Sequence, residues 1–367
     1  MMTEDFPSAS QATLTIDLDN IIDNYKSCIK LGRGVDCAAM IKADAYGMGI
    51  AQVAPALFHG AGCTTFFVAN LQEAIKLRPL VPEANIYVLN GLFPGHLEYF
   101  SRHNIRPVLN DLAQIRLWES VTPKNRPACA IHFDTGINRL GLSPEETAQF
   151  ITDDSLREKL HISLIMSHLS CSDDPENPIN AQQLRDFKAI TGHFPGIPAS
   201  LANSGGILLG PDYHFDLLRP GLLLFGGNPA SLPLPETIKP VFQITGQILQ
   251  IRTLTPGQTV GYGATWTADK PRHIATINIG YADGYLQKFN NCGWVYAKAT
   301  KLPVVGRVSM DMITVDVTDI EINAGDDIEL FGEHITLEMA AEVSTLSQYE
   351  ILTGVGARYQ RIYKMKN

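Results

Sequence analysis

The sequence predicts an α/β protein: an N-terminal (β/α)8 barrel of the TIM type followed by a C-terminal, mainly β domain. Three observations carry that prediction. Short, continuously apolar runs alternate with capped, amphipathic segments through the first two-thirds of the chain, the pattern of parallel strands covered on their outer face by helices. Eight such runs occur, the number that closes a barrel. Beyond Pro240 the rhythm changes to β-rich runs broken by turn residues.

In order, the strand-like runs are "DCAAMI" (36–41), "TTFFVA" (64–69), "NIYVLN" (85–90), "IRPVLN" (105–110), "ACAIHFD" (128–134), "ISLIMSH" (162–168), "PASLAN" (198–203) and "FDLLRPGLLLFG" (215–226). Helical spacing follows in "NLQEAIKLR" (70–78), "NDLAQIRLWESV" (110–121), "SPEETAQFI" (143–151) and "NAQQLRDFKAIT" (180–191). Asn70, Asn110, Ser143 and Asn180 are the expected N-caps, and Pro144 suits a first helical position. An open, doubly wound sheet shares this periodicity and is the competing topology.

In the last third, "VFQITGQILQIRTL", "RHIATINIG", "WVYAKAT", "PVVGRVSM", "ITVDVTD" and "DIELFG" read as strands, and "LEMAAEVSTLSQYEILTGVG" as helix. The expected domains are 1–240 and 241–367. The run "ATLTID" (12–17) is a strand with no place in the barrel count, which makes the C-terminal domain its alternative home.

Composition narrows the function. A chain of 367 residues with 45% hydrophobic and 18% charged residues is ordinary globular protein. Net charge is −9 and no Lys/Arg run tracks a phosphate backbone, which argues against nucleic acid. The opening "MMTEDFPSASQ" is polar and acidic, and no segment is long and apolar enough to span a bilayer, so the expectation is a cytoplasmic chain without a membrane partner. Six scattered cysteines without a Cys-x-x-Cys pair predict reduced thiols and no metal site.

Several polar residues fall where a barrel collects its chemistry, at the carboxyl ends of the strands. Lys42 follows strand one, His168 ends strand six, Asn203 and Ser204 follow strand seven, and Arg219 lies in or just after strand eight. A lysine sheltered at a barrel mouth has its pKa lowered by desolvation and becomes a nucleophile toward an aldehyde; the bland alternative is a solvated strand end. "ANSGG" (202–206) lacks the Gly-x-Ser-x-Gly elbow of a hydrolase but suits a phosphate cradle, together with Gly221. His168 alone reads as structural. Arg219, between Leu218 and Pro220, demands buried acceptors.

Together these segments resemble the alanine racemases that use pyridoxal phosphate. "MIKADAYGMG", "FDTGINRLG", "ANSGG" and "LLRPGLLLFG", then "VGYGATW", "NIGYADGY" and "GRVSMDM", match that family's motifs in the same order, from about residue 12 to the C-terminus. The resemblance implies interconversion of L- and D-alanine, supplying D-alanine for peptidoglycan, by a homodimer with shared active sites. It makes Lys42 the lysine bonded to the cofactor and a catalytic base. Tyr46, Ser204, Gly221 and Leu222 match phosphate-binding positions, and Asn203 lies in the same cofactor motif. Arg219 matches the arginine facing the pyridine nitrogen, His168 the histidine against the ring, and Arg139 a residue near the substrate carboxylate. From the partner subunit, Tyr262 matches the second base, Met310 a main-chain amide at the carboxylate, and Tyr281 and Asp311 the entrance.

Three positions depart from the family pattern. His132 stands where some members carry a carbamylated lysine that holds the arginine, Ser200 where some place a second histidine, and Ala357 where some carry a phosphate-binding tyrosine. Racemisation needs a base on each face of the α-carbon, and the resemblance gives Lys42 the D-enantiomer's proton and Tyr262 the L-enantiomer's. The rival readings are a broader amino-acid racemase, a pyridoxal-phosphate decarboxylase of similar architecture, and a non-catalytic carrier of the cofactor.

Overall fold

The computed structural model describes residues 12–366; the opening segment 1–11 read above lies outside the described residues. Two compact units are present, one of residues 20–239 and one joining 12–19 to 240–366. Strand β1 (Ala12–Asp17) belongs to the second of these.

The first unit is a barrel. Its first stave is β2 (Asp36–Cys37) with β3 (Ala39–Met40). The others are β4 (Thr65–Val68), β5 (Asn85–Val88), β6 (Arg106–Leu109), β7 (Cys129–His132), β8 (Ile162–Met166), β9 (Ala199–Ser200) and β10 (Leu217–Leu218). Strands β3 to β9 form a parallel sheet in sequence order, and β10 pairs in parallel with β2. Backbone hydrogen bonds complete the ring. Asp216 N–H donates to Ala199 O at 2.9 Å and Arg219 N–H to Ala202 O at 3.0 Å; Ala38 N–H donates to Leu218 O at 2.9 Å and Met40 N–H to Pro220 O at 3.0 Å. The reason lies in the sequence: β4, β5 and β6 each bury their last three residues and β7 buries all four, so both strand faces must be covered.

Local predictions needed correction. The run 215–226 is not one strand: β10 ends at Leu218, and Leu222–Phe225 is a 3-10 turn, because Pro220 and Gly221 break the extended backbone. Asn70 caps Leu71–Leu77, accepting from Glu73 N–H, and Ser143 caps Pro144–Thr152 in a capping box. Asn110 is not a cap. Asp111 caps Leu112–Glu119, while Asn110 Nδ2 donates to Leu89 O and Val108 O, both at 3.0 Å. Asn180 is inside its helix, Pro178–Thr191, which Asn177 caps.

The second unit is built on β11 (Phe242–Leu254), whose first half alternates buried and half-exposed residues, as expected of a sheet with two unlike faces. A short ribbon, β12 (Thr259–Val260) with β13 (Trp266–Thr267), follows. Next come β14 (Arg272–Ile277), β15 (Trp294–Ala297), β16 (Thr300–Pro303), β17 (Ile313–Asp316), β18 (Asp327–Phe331) and β19 (Gln360–Lys364). β1 lies antiparallel to β11 and parallel to β19, a strand the sequence reading missed. The expected "PVVGRVSM" strand is mostly loop, with Gly306 at φ 78°. The helical tail divides into Leu337–Ser344 and Gln348–Thr353, with Thr345 left-handed between them. Among the described residues, no helix is long and apolar enough to cross a membrane.

Candidate active site

Lys42 does not end in a simple polar turn. It opens the segment Lys42–Tyr46, in which Ala43, Asp44, Ala45 and Tyr46 all have φ of 53–55°, one turn of left-handed helix built without glycine. Such a backbone is disfavoured by about 1–2 kcal/mol per residue, so neighbours must hold it. Glu73 does so: Oε1 accepts Ala43 N–H at 2.8 Å and Oε2 accepts Ala69 N–H at 2.7 Å. Asp44 Oδ1 accepts Ile50 N–H at 2.8 Å and fixes the exit. Burial, and then the charge on Arg139, lower the Lys42 ammonium below its ordinary pKa, against the opposing pull of Glu73.

Arg219 is buried in the barrel interior. Its Nη1 donates to Ser200 Oγ, and its Nη2 donates to Ser167 O at 2.6 Å and to Leu201 O at 3.4 Å. Its Nε is buried and has no protein partner. Burial pushes the guanidinium down to about 9, which still leaves it a cation at neutral pH. Ser200 thus meets the guanidinium with a hydroxyl that also donates to Leu217 O.

His168 lies two residues beyond β8 and is half-buried. Burial first, then Arg219 and Arg139, hold its imidazole well below the usual histidine range, so it is neutral. Its backbone is fixed by Gln183, whose Nε2 donates to His168 O at 2.9 Å. His132 ends β7, and its Nδ1 lies 2.8 Å from Asn110 Oδ1. Arg139 is exposed on the loop that follows, where Asp134 Oδ1 accepts the N–H groups of Gly136, Ile137 and Asn138.

A cradle forms around Ser204. Its Oγ accepts Gly221 N–H at 2.9 Å and Leu223 N–H at 3.2 Å, which leaves the hydroxyl proton to donate. Leu222 opens the 3-10 turn beside it. Asn203 Oδ1 caps the turn Ser204–Leu209 through Gly206 N–H and accepts from Ser172 Oγ, both at 2.9 Å, so Asn203 shapes the cradle's backbone. A Cβ on Gly221 would stand 2.2 Å from Tyr46 Oη, and the Tyr46 ring stacks on Phe225 at 4.8 Å.

The second unit carries the other predicted positions. Tyr262 sits on a turn between Gly261 and Gly263, both with positive φ, and is 71% exposed. Tyr281 N–H donates to Ser309 O and Ala282 N–H to Met310 O, each at 3.0 Å, so the Tyr281 and Met310 loops are knitted together. Arg358 clamps them: Nε and Nη2 reach the two oxygens of buried Asp283 at 2.7 and 2.8 Å, and Nη1 reaches Asp311 Oδ1 at 2.6 Å. Glu73, Gln183 and Arg358 all escaped the sequence reading, which took Asn110 only for a cap.

In the barrel, an amine with a lowered pKa, an open buried N–H donor and a hydroxyl-and-amide cradle lie on one rim. A flat heteroaromatic ring bearing an aldehyde and a phosphate meets all three demands. The class so defined is that of barrel enzymes that hold pyridoxal phosphate. Comparison narrows it. The family model for the alanine racemase N-terminal domain matches residues 16–229, and that for the C-terminal domain matches 241–363. The alanine racemase of Rhizobium meliloti is 41% identical, covering 99% of each chain; that of Brucella abortus is 42% identical, covering 98% of this chain and 95% of its own. The crystal structure of alanine racemase from Bartonella henselae with covalently bound pyridoxal phosphate superposes with a TM-score of 0.91 at 39% identity, covering 96% of this chain and 99% of its own. The biosynthetic alanine racemase of Pseudomonas aeruginosa gives 0.91 at 31% identity, covering 96% and 99%. The chain belongs to the alanine racemase family, and is a pyridoxal-phosphate-dependent isomerase.

Proposed function

We propose that the chain interconverts L- and D-alanine by a two-base mechanism, as a cytoplasmic homodimer with shared active sites, and so supplies D-alanine for peptidoglycan. The observation that carries this reading is Lys42, an amine with a lowered pKa on a strained turn held open by Glu73. When bound, pyridoxal phosphate withdraws electrons from the substrate's α-carbon and makes its hydrogen acidic.

The residues of the chain do the rest. Ser204, Tyr46 and the Gly221–Leu222 backbone hold the phosphate. Arg219 would offer its open Nε to the cofactor's ring nitrogen, and because a guanidinium only donates, it would leave that nitrogen an acceptor. Neutral His168 would lie against the ring. Lys42, as a free amine, would carry the proton on one face, helped by a pKa nearer neutrality. Tyr262 of the second copy serves the other face, Arg139 and the Met310 amide bind the carboxylate, and Tyr281 and Asp311 line the entrance.

The dimer is supported by an exposed set on the second unit, Tyr262, Tyr281, Met310 and Met312, large apolar groups that association would cover. The cytoplasmic placement is supported by six free cysteines, which suit a reducing compartment. The test is incubation of holoenzyme with L-alanine in deuterated water, followed by chiral separation and mass analysis. We expect D-alanine carrying one α-deuterium. Carbon dioxide release without D-alanine would establish a decarboxylase instead.

A further inference from the structure

The amino-terminal face of the barrel, opposite the rim that carries Lys42, holds a polar cavity of about 440 Å³. Its volume is that of a small-molecule site. Among the lining residues, Asp36 opens β2, Arg106 opens β6, and Asp216 stands immediately before β10. The alanine reaction gives none of them a task.

Arg106 is oriented but not spent. Its Nη1 donates to Tyr87 Oη at 3.0 Å, and its Cζ lies 5.5 Å from the centre of the Tyr87 ring. Tyr87 is itself held: the ring stacks on Phe67 at 4.8 Å, and the hydroxyl lies 2.8 Å from Ser163 Oγ, which links the third stave to the sixth across the barrel. Ser163 Oγ gives its own proton to Cys129 O at 3.1 Å, so Tyr87 is the donor to Ser163 and the acceptor from Arg106. The bonds run one way, from guanidinium to carbonyl. Arg106 forms no ion pair among the described residues, and its other N–H groups have no protein acceptor there.

The opposite charge lies on the far side of the ring. β6 is the fourth stave and β10 the eighth, and β10 pairs with β2, so Asp36 and Asp216 stand on neighbouring staves across the cavity from Arg106. Asp216 is fixed by Oδ2, which accepts Ala199 N–H at 2.8 Å. These charges select a ligand. A small anion such as phosphate is drawn to Arg106 but repelled by two carboxylates, and a simple cation meets the reverse. A molecule with a carboxylate at one end and an ammonium group at the other satisfies both. An α-amino acid bears both charges on one carbon, whereas these partners occupy opposite staves, so the fit is to a longer molecule.

We propose that this cavity binds a small, elongated zwitterion, its carboxylate on the Arg106 guanidinium and its ammonium group between Asp36 and Asp216. A short peptide and a free ω-amino acid share that chemistry.

Ligand-observed NMR titration of the holoenzyme with triglycine and with 5-aminovalerate tests the proposal and separates the two sources. Binding of triglycine alone assigns a peptide, binding of 5-aminovalerate alone a free ω-amino acid, and binding of both the terminal charges they share. Acetate and butylamine carry one charge each and should bind at least about tenfold more weakly, since each forfeits a charge-assisted hydrogen bond. Arg106→Gln and the double variant Asp36→Asn/Asp216→Asn should weaken the probe to the same extent with activity as in wild type, and Arg106→Lys, which keeps the charge, should retain most of the affinity. Saturating L-alanine should leave the probe in place. Binding of neither probe, affinity unchanged in Arg106→Gln, or displacement by L-alanine overturns the proposal, as does acetate binding as tightly as 5-aminovalerate.

Discussion

Glu73 and Ala43, thirty residues apart, are joined by a hydrogen bond of 2.8 Å from the Ala43 N–H to Oε1, and that bond pins the first residue after Lys42 in the left-handed region. The same carboxylate takes Ala69 N–H through Oε2, so one side chain ties the ends of the first two staves together. Glu73→Ala should lower stability by about 1–3 kcal/mol, and the relaxed turn should release cofactor more readily. Glu73→Gln, with one acceptor left, should fall between. Chemical denaturation and the visible absorbance of the bound cofactor check this; a wild-type melting curve and cofactor content in Glu73→Ala would contradict it.

Gly221 has φ of −123°, a value open to any residue, so its role is one of space and not of backbone freedom. A methyl group there would meet Tyr46 Oη at 2.2 Å and Cζ at 2.9 Å, and Tyr46 is buried against Phe225. Gly221→Ala should therefore push the Tyr46 ring aside and weaken cofactor binding by at least about tenfold while the fold persists, since overpacking a buried site costs about 1–3 kcal/mol. Fluorescence titration of apoenzyme with pyridoxal phosphate reads the change.

If Lys42 and Tyr262 serve one site from two subunits, inactive variants should complement each other. Mixing Lys42→Ala with Tyr262→Phe under conditions of subunit exchange should return activity, because a heterodimer contains one site with both bases intact. At full exchange of equal amounts, half the dimers are mixed and one of their two sites is whole, so about a quarter of wild-type activity is expected. No recovery with exchange demonstrated by mass labels would count against the shared site.

His132 makes a separate prediction about acid. Burial and Arg219 push its imidazole down to about 4 in the folded chain, against an ordinary 6.5. Between those values the unfolded chain binds a proton that the folded chain refuses, so stability is intact above pH 6.5 and falls as pH drops toward 4. The loss attributable to this group approaches about 3 kcal/mol. His132→Gln should therefore lose less stability than wild type between pH 6.5 and 4.5, as denaturation curves at the two values will show. Equal losses would contradict the buried neutral ring.

What could be read from the sequence depended on how local its cause was. The barrel was legible because each stave announces itself by a short apolar run and each helix by a cap such as Asn70 or Ser143. Asn110 and Asn180 were misread as caps because their actual partners, Leu89 and Val108 for one and Cys171 and Asp174 for the other, are fixed by folding. The run 215–226 read as one strand because five leucines and two phenylalanines outweighed the Pro-Gly break within it. At the site, Lys42, Ser204 and Arg219 stood out as polar groups at strand ends. Glu73, Gln183 and Arg358 did not, since each acts through backbone or side-chain groups distant in the chain. Nothing local in Ala43 to Tyr46 hints at a left-handed turn; residues with side chains adopt it there under constraint from elsewhere.

The central claim is that the Lys42 nitrogen is the one bonded to the cofactor in the resting enzyme. Borohydride reduction of the coloured, active protein followed by peptide mass mapping tests it in one step. The account predicts a single stable pyridoxyl-phosphate adduct on the peptide containing Lys42 and loss of activity in proportion to labelling. An unmodified Lys42 in fully reduced, inactivated protein, with the label on another lysine, would contradict it.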